Sequence, residues 1–142
     1  PLRKNLAQLP LEDAAELLAL CAIDTQRDEL APALEWLERA LALAPTDDRL
    51  LARKGRLLRR LGRDAEAVDV LRGCAERAPQ DYELWSELGS YLHSLGRPGE
   101  ARPALQHALE LGAPASWPAE MRERSLQKLR ETLDELDAPA GQ

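Results

Sequence analysis

Side chains of one kind return every 34 residues along this chain. Ala33, Ala67 and Ala101 form one such column, and Leu37, Leu71 and Leu105 a second. Ala40, Cys74 and Ala108 give a third, Cys21, Gly55 and Gly89 a fourth, and Pro45 and Pro79 stand in the same phase. Richness in Ala and Leu does not by itself hold four columns in step over three units. A fixed period of this length marks a repeat architecture, whose units cannot bury their apolar faces alone and therefore stack. The register divides the chain into repeats at 14–47, 48–81 and 82–115.

Each unit reads as two antiparallel helices. Leu, Ala, Glu and Arg dominate, Val, Ile and Thr are scarce, and Phe is absent. Straight-chain residues lose little rotamer freedom in a helix, whereas β-branched residues lose more. The core must then be built from Leu and Ala. Small residues at Cys21, Gly55 and Gly89 let the second helix of each unit approach the first. Ala33, Ala67 and Ala101 sit where that second helix crosses, and Leu37, Leu71 and Leu105 fill the space between units. Turns are expected at Arg27-Asp28, Gly62-Arg63-Asp64 and Gly96-Arg97-Pro98, with Asp64 as an N-cap. Pro45 and Pro79 end the second helices, a task that falls to Pro114 in the third repeat.

The pattern resembles the tetratricopeptide-repeat family, whose 34-residue unit carries Trp, Leu-Gly, Tyr, Ala, an aromatic, Ala and Pro in order. Trp85, Leu88-Gly89, Ala101, Leu105 and Ala108 make the third repeat the best match. Tyr91 stands one place early, Leu replaces the aromatic in each second helix, and Lys54 occupies a Leu position in repeat two. The resemblance implies an all-α, right-handed α-solenoid of three helix-turn-helix units forming a single domain, and a protein-binding scaffold or adaptor as its function.

Residues 116–137 read as a carboxy-terminal capping helix. Ser116 is the expected cap, Pro118 fits the first turn, and Leu126, Leu129, Leu133 and Leu136 make a narrow apolar stripe. As a fourth repeat it would place Glu123 in the small-residue column, which fits poorly. Leu2, Leu6 and Leu9 line one side of a short amino-terminal helix, either a cap or the remnant of a preceding unit.

The stretch from Arg49 to Arg63 holds seven basic residues and no acidic one, although the whole chain carries a net charge of −6. At about 100° per residue, Arg49, Arg53, Arg56, Arg60 and Arg63 fall within roughly 80° of arc. The resemblance makes this stripe the floor of the family's concave groove. In that groove Leu18 and Ala22 of repeat one would stand to one side and Glu83, Glu87, Ser90 and His93 of repeat three to the other. Guanidinium groups capture carboxylates in bidentate fashion, so an acidic peptide, a free carboxylate or a phosphorylated tail is the expected occupant. The family's chaperone-tail clamp is not expected, because Leu18 and Ala22 replace one basic or amide pair and Glu83 and Glu87 another. The alternative is a solvated face on a structural or self-association domain of a larger, even enzymatic, polypeptide. Homo-oligomerisation stays open on either reading.

Other chemistries find little support. The acidic balance and the lack of aromatics among the arginines argue against nucleic acid. No apolar run approaches the ~20 residues of a membrane span. Neither His93 and His107 nor Cys21 and Cys74 have metal-ligand spacing, and no catalytic motif, metal or cofactor is expected. Cys21 and Cys74 read as buried thiols. Their number suits a reducing cytoplasm, with a periplasmic chain that has lost its leader as the alternative. Trp36 and Trp117 lie outside the core columns and read as packing against the ends or as a second contact surface.

Overall fold

The computed structural model describes residues 14–138, so the amino-terminal helix expected over Leu2–Leu9 lies outside the described residues. Within that range the secondary structure is helical throughout, in seven elements. These are α1 (Ala14–Gln26), α2 (Leu30–Leu43), α3 (Asp48–Arg60), α4 (Asp64–Arg77), α5 (Tyr82–Ser94), α6 (Pro98–Leu111) and α7 (Ala119–Asp137). The first helices of the second and third expected pairs begin at Asp48 and Tyr82, which keeps the 34-residue phase. Contacts divide the chain into two compact units, Pro1–Val70 and Leu71–Gln142, with the division inside α4.

All four sequence columns are buried. The three alanines at 33, 67 and 101 are fully covered, as are Leu37, Leu71, Leu105, Ala40, Cys74 and Ala108, and Cys21 with them. Gly55 and Gly89 are buried too. Periodicity is therefore the imprint of core contact, and each fully covered Leu contributes roughly 1.5–3 kcal/mol of transfer free energy.

In the first unit, α2 packs on both α1 and α3. Leu17, Trp36, Leu37, Leu41, Leu50 and Leu57 build its core around Cys21. Trp36 thus packs inside the unit and is no contact surface. Its indole N–H donates to Asp24 Oδ2 at 2.9 Å, and the Arg39 guanidinium lies 5.4 Å over its ring. Asp24 is the one buried charged residue among those described, and the indole supplies the hydrogen bond that such burial demands.

In the second unit, α5 packs on α6, and α7 lies against both. Gly89 is required by that contact: a Cβ there would stand 2.6 Å from Leu105 Cγ and 3.1 Å from the Leu105 backbone nitrogen. The last helix is held by Tyr82 Oη to Ser125 Oγ at 2.6 Å, and by Arg102 to Asp137 at 2.9 Å and to the Leu136 carbonyl at 3.1 Å. Leu129 is buried, while Leu126, Leu133 and Leu136 are half-buried and Glu123 is exposed. Trp117 packs edge-on against Tyr82, with ring centroids 5.8 Å apart. Arg97 and Arg72 both bond Glu100, and Arg97 first, then Arg72, hold its carboxyl below the usual carboxylate range.

Three capping assignments differ from the sequence reading. Asp64 is the first residue of α4 rather than its cap, because the Ala67 N–H already bonds the Arg63 carbonyl at 3.0 Å. Ser116 does not cap the last helix, which starts at Ala119 behind Pro118 with no side-chain cap bond. Gly112, at φ 76°, ends α6 two residues before Pro114. Positive φ supplies the stop there, so the helix has terminated before proline can act. A positive φ also occurs at Asp28, Gly62 and Gly96, at 60°, 77° and 73°, in the turns after α1, α3 and α5. These three positions form a fifth 34-residue column, inside the turns expected at Arg27-Asp28, Gly62-Arg63-Asp64 and Gly96-Arg97-Pro98. Short polar side chains tolerate this left-handed region better than others.

Candidate functional site

Asp47 starts α3, accepting from the Arg49 N–H at 3.0 Å and the Leu50 N–H at 3.4 Å. That cap satisfies donors that the helix would otherwise leave open. Leu50, Leu57 and Leu58 face the interior, and the same helical period turns Arg49, Arg53, Arg56 and Arg60 to solvent, all four exposed. Arg63 is exposed as well, but it lies past the end of α3, beyond Gly62. The helical wheel does not set its direction, and both oxygens of Glu66 accept from it at 3.1 and 2.8 Å.

Between α1 and α3 the first unit opens a cleft of about 450 Å³. Cys21, Ala22 and Leu57 line it on the apolar side, and Thr25, Gln26, Arg53, Arg56 and Arg60 on the polar side. Of the expected groove residues, Ala22, Arg53, Arg56 and Arg60 meet here, and Gln26 joins them. Leu18 is half-buried and packs against the core of its unit. Arg49 stands at the start of the same helix, outside the cleft lining.

Charge around the cleft is partly matched. Arg60 Nη2 donates to Asp28 Oδ1 at 2.9 Å, and Lys54 reaches Glu38 at 3.6 Å. The basic row is therefore not five unrelieved charges: Arg60 and Arg63 have carboxylate partners within the unit. Burial pushes the Cys21 thiol above its ordinary value, opposed by the Thr25 contact and by the Arg53 charge. Such a thiol stays protonated near neutral pH and reacts poorly. Both cysteines are buried thiols outside any disulfide.

Glu83, Glu87, Ser90 and His93 all lie on α5 in the second unit, Glu83 exposed and the other three half-buried. His93 Nε2 sits 3.1 Å from Glu135 Oε2. His107 Nε2 lies 2.8 Å from the Pro79 carbonyl oxygen, and its ring meets Trp85 edge-on at 4.7 Å. No group of His, Cys, Asp and Glu suited to a metal ion occurs among the described residues, and none of the described helices is long and apolar enough to cross a membrane. A broader recess in the same unit, about 870 Å³, is lined by Asp81 and Glu83 and by no basic residue. Its sign is opposite to that of the arginine cleft.

Sequence reasoning missed Asp24, and it placed Asp28 in a turn without foreseeing its bond to Arg60. An acidic residue in a helical pattern reads as surface, and nothing local ties Asp24 to an indole twelve positions on. Asp28 likewise meets its partner 32 positions on, across the unit.

Residues 48–91 match one tetratricopeptide-repeat family model and residues 82–111 another. No curated protein matches the sequence. Among solved structures, the chain is similar to the TPR domain of Sgt2 from Aspergillus fumigatus, at 18% identity over 94% of this chain and 89% of that one, with a TM-score of 0.68. It is similar to the Yersinia enterocolitica type III secretion chaperone SycD, solved with a peptide of the translocator YopD. That match has 19% identity, covers 87% of this chain and 91% of the other, and has a TM-score of 0.71. A third likeness is to the first TPR of Spaghetti (RPAP3) bound to the HSP90 peptide SRMEEVD, at 16% identity, 88% and 94% coverage and a TM-score of 0.68. At these identities the likeness establishes the fold, an all-α helical-repeat solenoid. With its 34-residue columns buried and residues 48–111 matched, the chain carries repeats of the tetratricopeptide type.

Proposed function

We propose that this chain is a protein-interaction scaffold that holds an acidic peptide segment against the arginine face of α3. The observation that carries this reading is the cleft between α1 and α3, where Arg53, Arg56 and Arg60 surround an apolar wall of Cys21, Ala22 and Leu57. Guanidinium groups at that rim would take carboxylates in paired hydrogen bonds, and the apolar wall would take a small aliphatic side chain beside them. Peptide binding by structural relatives supports the idea: SycD was solved with a YopD peptide, and the RPAP3 domain with SRMEEVD, itself rich in acidic residues. Leu18, Arg49 and Arg63 of the same unit belong to the same proposal, and Glu83, Glu87, Ser90 and His93 on α5 are proposed as partner-binding residues of the second unit.

Charge reversal tests it. Arg53→Glu combined with Arg56→Glu should lower affinity for a leucine- and glutamate-rich peptide at least tenfold, read by isothermal titration. Wild-type affinity should also weaken as salt rises, since exposed ion pairs are screened. Unchanged affinity in the double variant would discard the acidic-peptide reading in favour of a structural or self-association domain.

A further inference from the structure

We infer that Asp28 is a built-in competitor for anionic ligands of the α1–α3 cleft. This rests on the acidic-peptide reading above and adds the element that regulates it. Arg60 is one of three arginines on the cleft, and it already has a carboxylate on it: its Nη2 donates to Asp28 Oδ1 at 2.9 Å. A side chain of the same chemistry as the proposed ligand thus occupies one of the ligand's binding groups. Both members reach solvent, with 45% of the Arg60 side chain and 77% of that of Asp28 exposed. An ion pair so exposed is weak and exchanges readily, so an incoming carboxylate can displace it.

The position of Asp28 argues for the same role. It stands at φ 60° in the turn after α1, where the matching residues of the next two turns are Gly62 and Gly96. Backbone bonds hold that turn, from the Asp28 N–H to the Thr25 carbonyl at 3.1 Å and from the Glu29 N–H to the Asp24 carbonyl at 2.8 Å. The turn therefore does not need the Asp28 carboxylate, and glycine would suit the backbone better. What the carboxylate adds is a charge on the rim of the cleft. A ligand carboxylate directed at Arg60 merely replaces Asp28, so the net gain from that arginine is small, and Arg53 and Arg56 carry the larger share of ligand affinity.

Asp28→Asn tests this, since asparagine keeps the left-handed turn and removes only the charge. A short synthetic peptide of alternating leucine and glutamate should bind this variant roughly twofold to fivefold more tightly than wild type at low salt. The gain should vanish when Arg60→Gln is present as well, so that the double variant binds no better than Arg60→Gln alone. A gain that survives in the Arg60→Gln background would reflect general charge and overturn the competitor. So would an Asp28→Asn affinity equal to wild type while the Arg53→Glu, Arg56→Glu double variant still loses at least tenfold, an outcome that leaves the proposed function standing. If that double variant also has no effect, or if the peptide binds none of these proteins, the proposed function fails and the competitor falls with it.

Discussion

Gly89 is the residue where the repeat pattern turns most directly into energy. A β-carbon there has no room, because fully buried Leu105 stands 2.6 Å away through Cγ, with its backbone nitrogen close behind. Gly89→Ala gains up to about 1 kcal/mol of helix propensity but must push apart α5 and α6, an overpacking cost of typically ~1–3 kcal/mol. Net destabilisation of about 1–2 kcal/mol is expected in denaturant unfolding. A more stable variant would mean that the small-residue column has no packing role. Cys21, in the same column of the first unit, is fully buried at its position, so the column demands smallness and not glycine as such. That distinction was legible in the sequence, where Cys and Gly share a phase. The pairing of Asp24 with Trp36 was not, because a buried acid is recognised only by its partner, and the partner lies on another helix.

At the scale of the element, α3 shows how one helix serves both core and surface. Leu50, Leu57 and Leu58 are buried on it, while Arg53, Arg56 and Arg60 reach the cleft. Its start depends on Asp47. Asp47→Ala should cost roughly 0.5–2 kcal/mol and speed amide exchange at Arg49 and Leu50, whose N–H groups lose their acceptor. Exchange unchanged at both amides would show the cap to be dispensable. Helix number and starts in the repeats were readable because apolar columns repeat with the period of the packed unit. Helix ends were less so: Ser116 and Asp64 look like caps by residue type, yet capping depends on backbone direction, and the chain enters α4 and α7 through Arg63 and Pro118 instead. The arginine row was readable as a helical stripe through Arg60. It failed at Arg63 because Gly62 ends the helix with a left-handed residue, which turns the chain onto a new course.

For the whole molecule, function turns on local charge set against the global balance. The chain is acidic overall, at −6, yet its second repeat carries nine basic residues against six acidic, and Arg53, Arg56 and Arg60 line one cleft. An acidic ligand is repelled by the chain's net field and attracted only where it meets that cleft, so the place of binding is the sharpest test. The direct measurement is an amide chemical-shift titration of the full chain with the leucine–glutamate peptide. The largest saturating shifts should fall on Ala22, Gln26, Arg53, Arg56 and Leu57, and α7 should barely respond. Shifts centred on α7 or on the recess beside Asp81 and Glu83, with the cleft silent, would contradict the arginine cleft as the binding site.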